Sequence, residues 1–211
     1  ISHGSPMLAI DAGASIPAWV ALAEALPRPP AVLAVSAHWT TSSPAVSAAA
    51  TPETIHDFYG FPPALYDIRY PAPGAAGLAD EVAALVPGID VDDQRGLDHG
   101  AWMPLRWMYP QANVPVIQLA VMPNQSPEFH FRLGQQIAPL LSTGTLILAS
   151  GGLVHNLRDL VFEAPENSAK PYAREFRDWF VDRLERRDLP ALLDYRRQAP
   201  NAALAHPTEE H

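Results

Sequence analysis

Eight histidines stand in this 211-residue chain, and three of them follow short apolar runs. His3 follows Ile1-Ser2, His38 follows the run 31–37, and His155 follows the run 146–154. Runs of this length and composition read as buried parallel strands. In an open α/β sheet, ligands collect outside the carboxyl ends of the strands. Histidines set just past such ends would meet in one cleft. Imidazole is the commonest protein metal ligand and also a proton carrier near neutrality, so the chemistry suggested is a metal site. The chain has no cysteine, which leaves nitrogen and oxygen donors to hold any ion.

The flanking residues fit that placement. Gly4 after His3 allows a tight exit from a strand, and Pro6 stiffens it. The double glycine Gly151-Gly152 ahead of His155 permits close backbone approach, though a plain strand-to-helix turn would use it too. His211 ends the segment Ala-His-Pro-Thr-Glu-Glu-His. By itself it reads as solvated, with Glu209 and Glu210 as carboxylate alternatives for the same ligand role. His99, in Asp-His-Gly-Ala-Trp, reads either as a substrate-side group whose ring Asp98 orients or as an exposed residue after an N-cap aspartate. His56 lies in an aromatic loop and is a candidate to face the cleft. His130 reads as a helix-surface residue, and His206, before a proline, shows no partner.

The elements needed to position these groups are legible. Helices are expected at 17–26, 78–86, 98–109, 127–141 and 171–186, and strands at 31–36, 45–50, 114–121 and 145–149. Strands alternating with helices imply an α/β fold. The central sheet should be mostly parallel or mixed, with helices on both faces and the metal site at the strands' carboxyl ends. The segment 51–74 is rich in proline and aromatics without a period. It reads as a functional loop walling the cleft.

Composition narrows the partners. A formal charge of −9 argues against nucleic acid, which calls for a basic stripe. No apolar run approaches the roughly 20 residues of a membrane span. No internal repeat or linker stands out, so 1–211 reads as one catalytic domain. The sequence opens without Met just before His3 and stops on a candidate ligand, which reads as clipping at both ends. Lack of cysteine is compatible with a reducing cytoplasm. There is no Walker loop, G-x-G-x-x-G, H-E-x-x-H or G-x-S-x-G; Ser150-Gly-Gly lacks the pattern of a nucleophile elbow.

Taken in order, SHGSPM, VSAHW, TIHDFYGFP, ALYDIRYPAPG, LDHGAW, SGGLVHNL and HPTEEH span the chain. Together they resemble the DODA-type extradiol aromatic ring-opening dioxygenases of the class III superfamily, which includes the protocatechuate 4,5-dioxygenase beta chain. The resemblance implies a non-haem Fe(II) site, with Zn(II) possible at the same position. It makes His3, His38 and His211 the protein ligands. The wider superfamily has a glutamate in the third place. It makes His155 the acid/base beside the open metal position, able to touch the metal when substrate is absent. It sets His99 against the substrate, with His56 a further substrate-side candidate. The implied reaction opens a catechol-type ring with O2 to a muconic-semialdehyde-type product. The implied partners are a small aromatic diol and O2, without nucleic acid or membrane, in a cytoplasmic monomer or homodimer.

Three other readings use the same histidines. A zinc hydrolase would share the ligand set and use a metal-bound hydroxide. A tetrapyrrole metal chelatase would also place a Gly-His-Gly-Ser-like turn after its first strand, though SAHW and DHGAW count against it. A binding protein with a decayed site would be expected to have lost some of these histidines.

Overall fold

A computed structural model describes residues 1–11, 13–161 and 168–211. A 3-10 turn (Pro6–Ala9) leads into α1 (Ser15–Ala25), β1 (Val32–Thr40), β2 (Ala45–Ser47), α2 (Pro63–Tyr66) and α3 (Ala76–Leu85). Next come β3 (Asp90–Asp92), α4 (His99–Met108), β4 (Val116–Val121), α5 (Pro127–Ile137), β5 (Leu146–Ser150) and α6 (Pro171–Glu185). Three short helices follow: α7 (Leu189–Leu193), α8 (Tyr195–Gln198) and α9 (Ala202–Ala205).

The strands form a five-stranded sheet in the order β3-β2-β4-β1-β5. β1 lies between β4 and β5 and is parallel to both; β2 and β3 are also parallel. Only β2 against β4 is antiparallel, through Val46 and Leu119, so the sheet is mixed with a parallel centre. Side chains alternate faces along a strand. Val32, Ala34, Val116 and Leu148 therefore pack on one face with Trp19 of α1 and Trp102 and Leu105 of α4. Leu33, Ile117 and Leu119 pack on the other with Leu78 and Val82 of α3 and Leu133 and Ile137 of α5. A satellite core of Phe176, Ala199, Ala202 and Ala205, joined by Leu153 and Val154, ties α6 and α9 to the loop after β5.

Local chemistry sets several boundaries. Pro127 occupies the first turn of α5 and the Ser126 hydroxyl accepts from Phe129 N–H, a standard N-terminal arrangement. The expected single helix over 127–141 instead changes to a 3-10 turn at 138–143, where Pro139 lies in the first turn and supplies no N–H. Gly144 closes it in the left-handed region. β3 was not expected; its Asp-Val-Asp sequence is too short and acidic to show a strand pattern.

β1 runs to Thr40 rather than stopping at 36, so His38 lies within the strand. The pairing with β4 slips between Val35 and Thr40, and such irregularities re-aim side chains. The segment 51–74 is partly ordered secondary structure, carrying α2 and a bridge from Thr54 to Leu97. Among the described residues, no helix is long and apolar enough to cross a membrane.

Candidate metal centre

Four stretches bring histidines to the carboxyl end of the parallel centre. Ser2 makes a parallel bridge to Gly151 just past β5, and His3 N–H donates to Gly151 O at 3.0 Å. That pairing sets residues 1–3 on the edge of β5 away from β1, and the His3 ring meets across the strand end the ring of His38 in β1, whose pairing with β4 slips there. His99 opens α4. His211 returns on the segment after α9, and a side chain on Gly151 would collide with the His211 carbonyl. The close approach foreseen at the double glycine is therefore made by the chain's own backbone.

The rings form a tight cluster. Centroids of His3 and His38 lie 4.9 Å apart, His38 and His211 5.0 Å, and His3 and His211 5.5 Å. One nitrogen from each of these three lies within 4.8 Å of the others. His3 Nε2 and His38 Nε2 face each other at 3.0 Å. Two nitrogens each about 2.1 Å from one ion at roughly a right angle would show that spacing.

Hydrogen bonding bears on what those nitrogens carry. The Asp57 carboxylate accepts only, and its Oδ2 lies 3.4 Å from His38 Nδ1, a contact that favours a proton on that nitrogen. Glu210 Oε1, 3.2 Å from His211 Nδ1, does the same for His211. His211 Nε2 is buried and has no hydrogen-bond partner. Burial pushes the His3 pKa down to about 2, with the neighbouring histidines adding to it. Burial likewise holds His38 at about 4, despite the opposing pull of Asp57, and His211 at about 4. Burial thus favours neutral imidazoles whose ring nitrogens turn toward one another. A divalent cation makes that arrangement favourable, so the donor set fits a metal with nitrogen ligands.

Asp57 also reaches His99. Its Oδ1 accepts from His99 N–H at 2.9 Å and its Oδ2 from His99 Nδ1 at 3.0 Å. A residue from the loop thus satisfies one of the orphan N–H groups at the start of α4. Burial alone would raise the Asp57 pKa, but the hydrogen bonds from His99 outweigh it and hold the carboxyl at about 2. The loop is pinned in turn by Trp102 Nε1 donating to Ile55 O at 2.8 Å.

Asp98 does something else. Wholly buried, it takes hydrogen bonds from Ser36 Oγ at 2.6 Å, Arg95 Nη2 at 2.7 Å and Gln118 Nε2 at 2.7 Å. It anchors the start of α4 to β1 and β4, while the ring of His99 is oriented by Asp57. The sequence does not single out Asp57, because its segment has no period and His56 stands beside it. The signal available was a carboxylate within the aromatic loop itself.

His155 stacks on His211, with centroids 3.4 Å apart and planes within 8°. Its backbone N–H donates to Ala205 O at 2.8 Å, its Nδ1 is 3.8 Å from Glu210 Oε1, and burial lowers its pKa. His56 stands one ring behind the cluster. Its Nε2 donates to Ile68 O at 3.1 Å, and Phe58 lies between it and His99. His130 lies on α5, and its Nε2 accepts from Met122 N–H at 3.1 Å. His206, buried, donates from Nε2 to Gly152 O at 3.1 Å and pins the returning segment beneath the glycine turn.

Comparison with known proteins bears on the family and the fold. A family model described as the catalytic LigB subunit of aromatic ring-opening dioxygenase matches residues 1–211. The chain is 39% identical to the 4,5-DOPA dioxygenase extradiol of Escherichia coli K12, over all of this chain and 79% of that protein. It is also 39% identical to the Beta vulgaris protein of the same name, over all of this chain and 81% of that one. The crystal structure of uncharacterized protein JW3007 from Escherichia coli K12 superposes with a TM-score of 0.79 at 32% identity, covering 94% of this chain and 78% of that one. This chain therefore belongs to the LigB family of aromatic ring-opening dioxygenases, and its activity is extradiol ring cleavage.

Proposed function

We propose that the protein is a non-haem Fe(II) enzyme that opens a catechol-type ring with O2, giving a muconic-semialdehyde-type product, with His3, His38 and His211 as the metal ligands. The observation that supports this most is the trio of imidazoles, His3 buried and His38 and His211 partly so, each with a ring nitrogen within 4.8 Å of the others. Fe(II), when bound, supplies the electron-transfer chemistry that lets a diol and O2 react, which zinc cannot. Both oxygen atoms enter the product, so no external reductant is needed. The family assignment favours this over the zinc-hydrolase and chelatase readings.

The chain's own groups have distinct tasks. Three protein ligands leave positions for a diol and O2, as in the facial-triad oxygenases. His99 turns Nδ1 to Asp57, which leaves its Nε2 to face the substrate hydroxyl. His155 is neutral at working pH because burial lowers its pKa. It can therefore accept the proton the catechol loses on binding and return it later in the reaction. Phe58 is the apolar surface beside His99, at 5.6 Å between ring centroids. An enzyme keeping Fe(II) and lacking cysteine suits a reducing cytoplasm.

The test is anaerobic reconstitution with Fe(II), followed by DOPA, protocatechuate and simpler catechols while oxygen uptake and the yellow ring-opened product are recorded. Uptake matched to product with at least one catechol is expected. An iron-loaded protein that consumes oxygen with none of them contradicts the proposal.

A further inference from the structure

We propose that Ser150 is the positioning residue for the ligand His3, and that Pro104, inside helix α4, is what commits Ser150 to that role. The inference rests on the reading of His3 as a metal ligand.

In a helix, the carbonyl of residue 100 accepts from the N–H of residue 104. Residue 104 is proline, within α4, and has no N–H to give. A buried carbonyl left without a partner is costly. Ser150, buried at the last position of β5, fills the gap, its Oγ donating to Gly100 O at 2.5 Å. The same Oγ lies 3.0 Å from His3 Nδ1.

A hydroxyl has one hydrogen. A carbonyl cannot donate, so that hydrogen lies toward Gly100 O. Toward His3, Ser150 has only lone pairs, and His3 Nδ1 must be the donor. A histidine that ligates a metal is neutral, so its single ring proton then sits on Nδ1. Its Nε2 is left bare where it faces His38 Nε2 at 3.0 Å. The assignment follows from counting hydrogens along the chain Gly100 O, Ser150 Oγ, His3 Nδ1. One hydroxyl thereby joins the end of β5, the loop of His3 and the first turn of the helix that carries His99. It also accounts for a proline tolerated inside a fully buried stretch of helix, since the carbonyl it frees has a use.

The test has two arms on the full chain. In the metal-free wild-type protein, nitrogen-15 correlation spectra of the histidine rings should show His3 protonated on Nδ1 and bare on Nε2. His3 protonated on Nε2 overturns the proposal without any variant. In the second arm, Zn(II) affinity is measured by chelator competition. Ser150→Ala should bind about 10- to 100-fold more weakly and show mixed tautomers at His3, and Ser150→Thr, which keeps the hydroxyl, should recover most of the loss. A folded Ser150→Ala protein with wild-type tautomer and unchanged affinity overturns the proposal. Failure of the ligand reading looks different: His3→Ala would leave Zn(II) affinity unchanged while the wild-type tautomer still stood as described.

Discussion

The centre has two halves that are built differently. One half, His3, His38 and His99, sits at the strand ends and the start of α4. His3 is 3% exposed and His99 5%, and each ring has an Nδ1 partner on a separate element, Ser150 or Asp57. The other half, His155 with Glu210 and His211, sits on loops. Its two rings stack on each other and share one half-buried carboxylate at 3.2 and 3.8 Å. Its support is the satellite core under α6 and α9 instead of the sheet. The contrast separates two jobs. Rings locked by strands are suited to hold an ion, and a ring with looser partners is suited to take up and return a proton, with His211 spanning the two.

The sharpest way to break this contrast is to remove one ring from each half. His3→Ala and His38→Ala should lose bound metal and, with it, all turnover, as read by metal analysis after desalting. His155→Ala should retain its metal yet lose about a hundred- to ten-thousand-fold in kcat. Metal loss from His155→Ala, or retention by both ligand variants, would erase the division.

A smaller effect sharpens the account of the locked half. Asp57→Asn exchanges a carboxylate that serves two rings for a group that both donates and accepts. Turnover should fall about 10- to 100-fold, with the larger share in kcat, and Asp57→Glu should recover part of it. A change confined to thermal stability would reduce Asp57 to a structural cap. Smaller again, Gly100→Ala sets a methyl against Ser36 Oγ and 3.1 Å from His38 Cδ2. Such overpacking should cost about 1–3 kcal/mol in denaturant unfolding.

Acid should act on the metal-free protein through the same rings. His3, His38 and His211 have folded pKa values of about 2, 4 and 4, below the ordinary 6.5. Between those values and about 6.5 the unfolded chain binds more protons than the folded one, so stability rises with pH across that window. Unfolding midpoints should be flat above pH 6.5 and fall as the pH drops toward 4. A midpoint unchanged down to pH 4 would show that these rings are not held neutral.

Much of this is legible in the sequence. The apolar runs ahead of His38 and His155 mark β1 and β5, because a buried strand has to be apolar on both faces, although β1 continues through His38 to Thr40. His211 had no such signal in its own polar surroundings, and only the family resemblance pointed to it. Asp57 was not legible, since nothing in an irregular segment says which way a side chain points. The buried role of Asp98 was hidden for a related reason: its partners Ser36 and Gln118 lie on strands far away in sequence. The Ser150 contact was hidden because it depends on a carbonyl freed by Pro104 on another element.

The central claim is that His3, His38 and His211 grip one cation through Nε2. X-ray absorption on the zinc-loaded protein tests it most directly, read beside the His3→Ala and His38→Ala double variant. The account predicts one ion per chain, with scattering from about three imidazole nitrogens at roughly 2.1 Å, and no bound ion in the double variant. A shell without imidazole scattering, or an ion that stays bound after both histidines are removed, would contradict it.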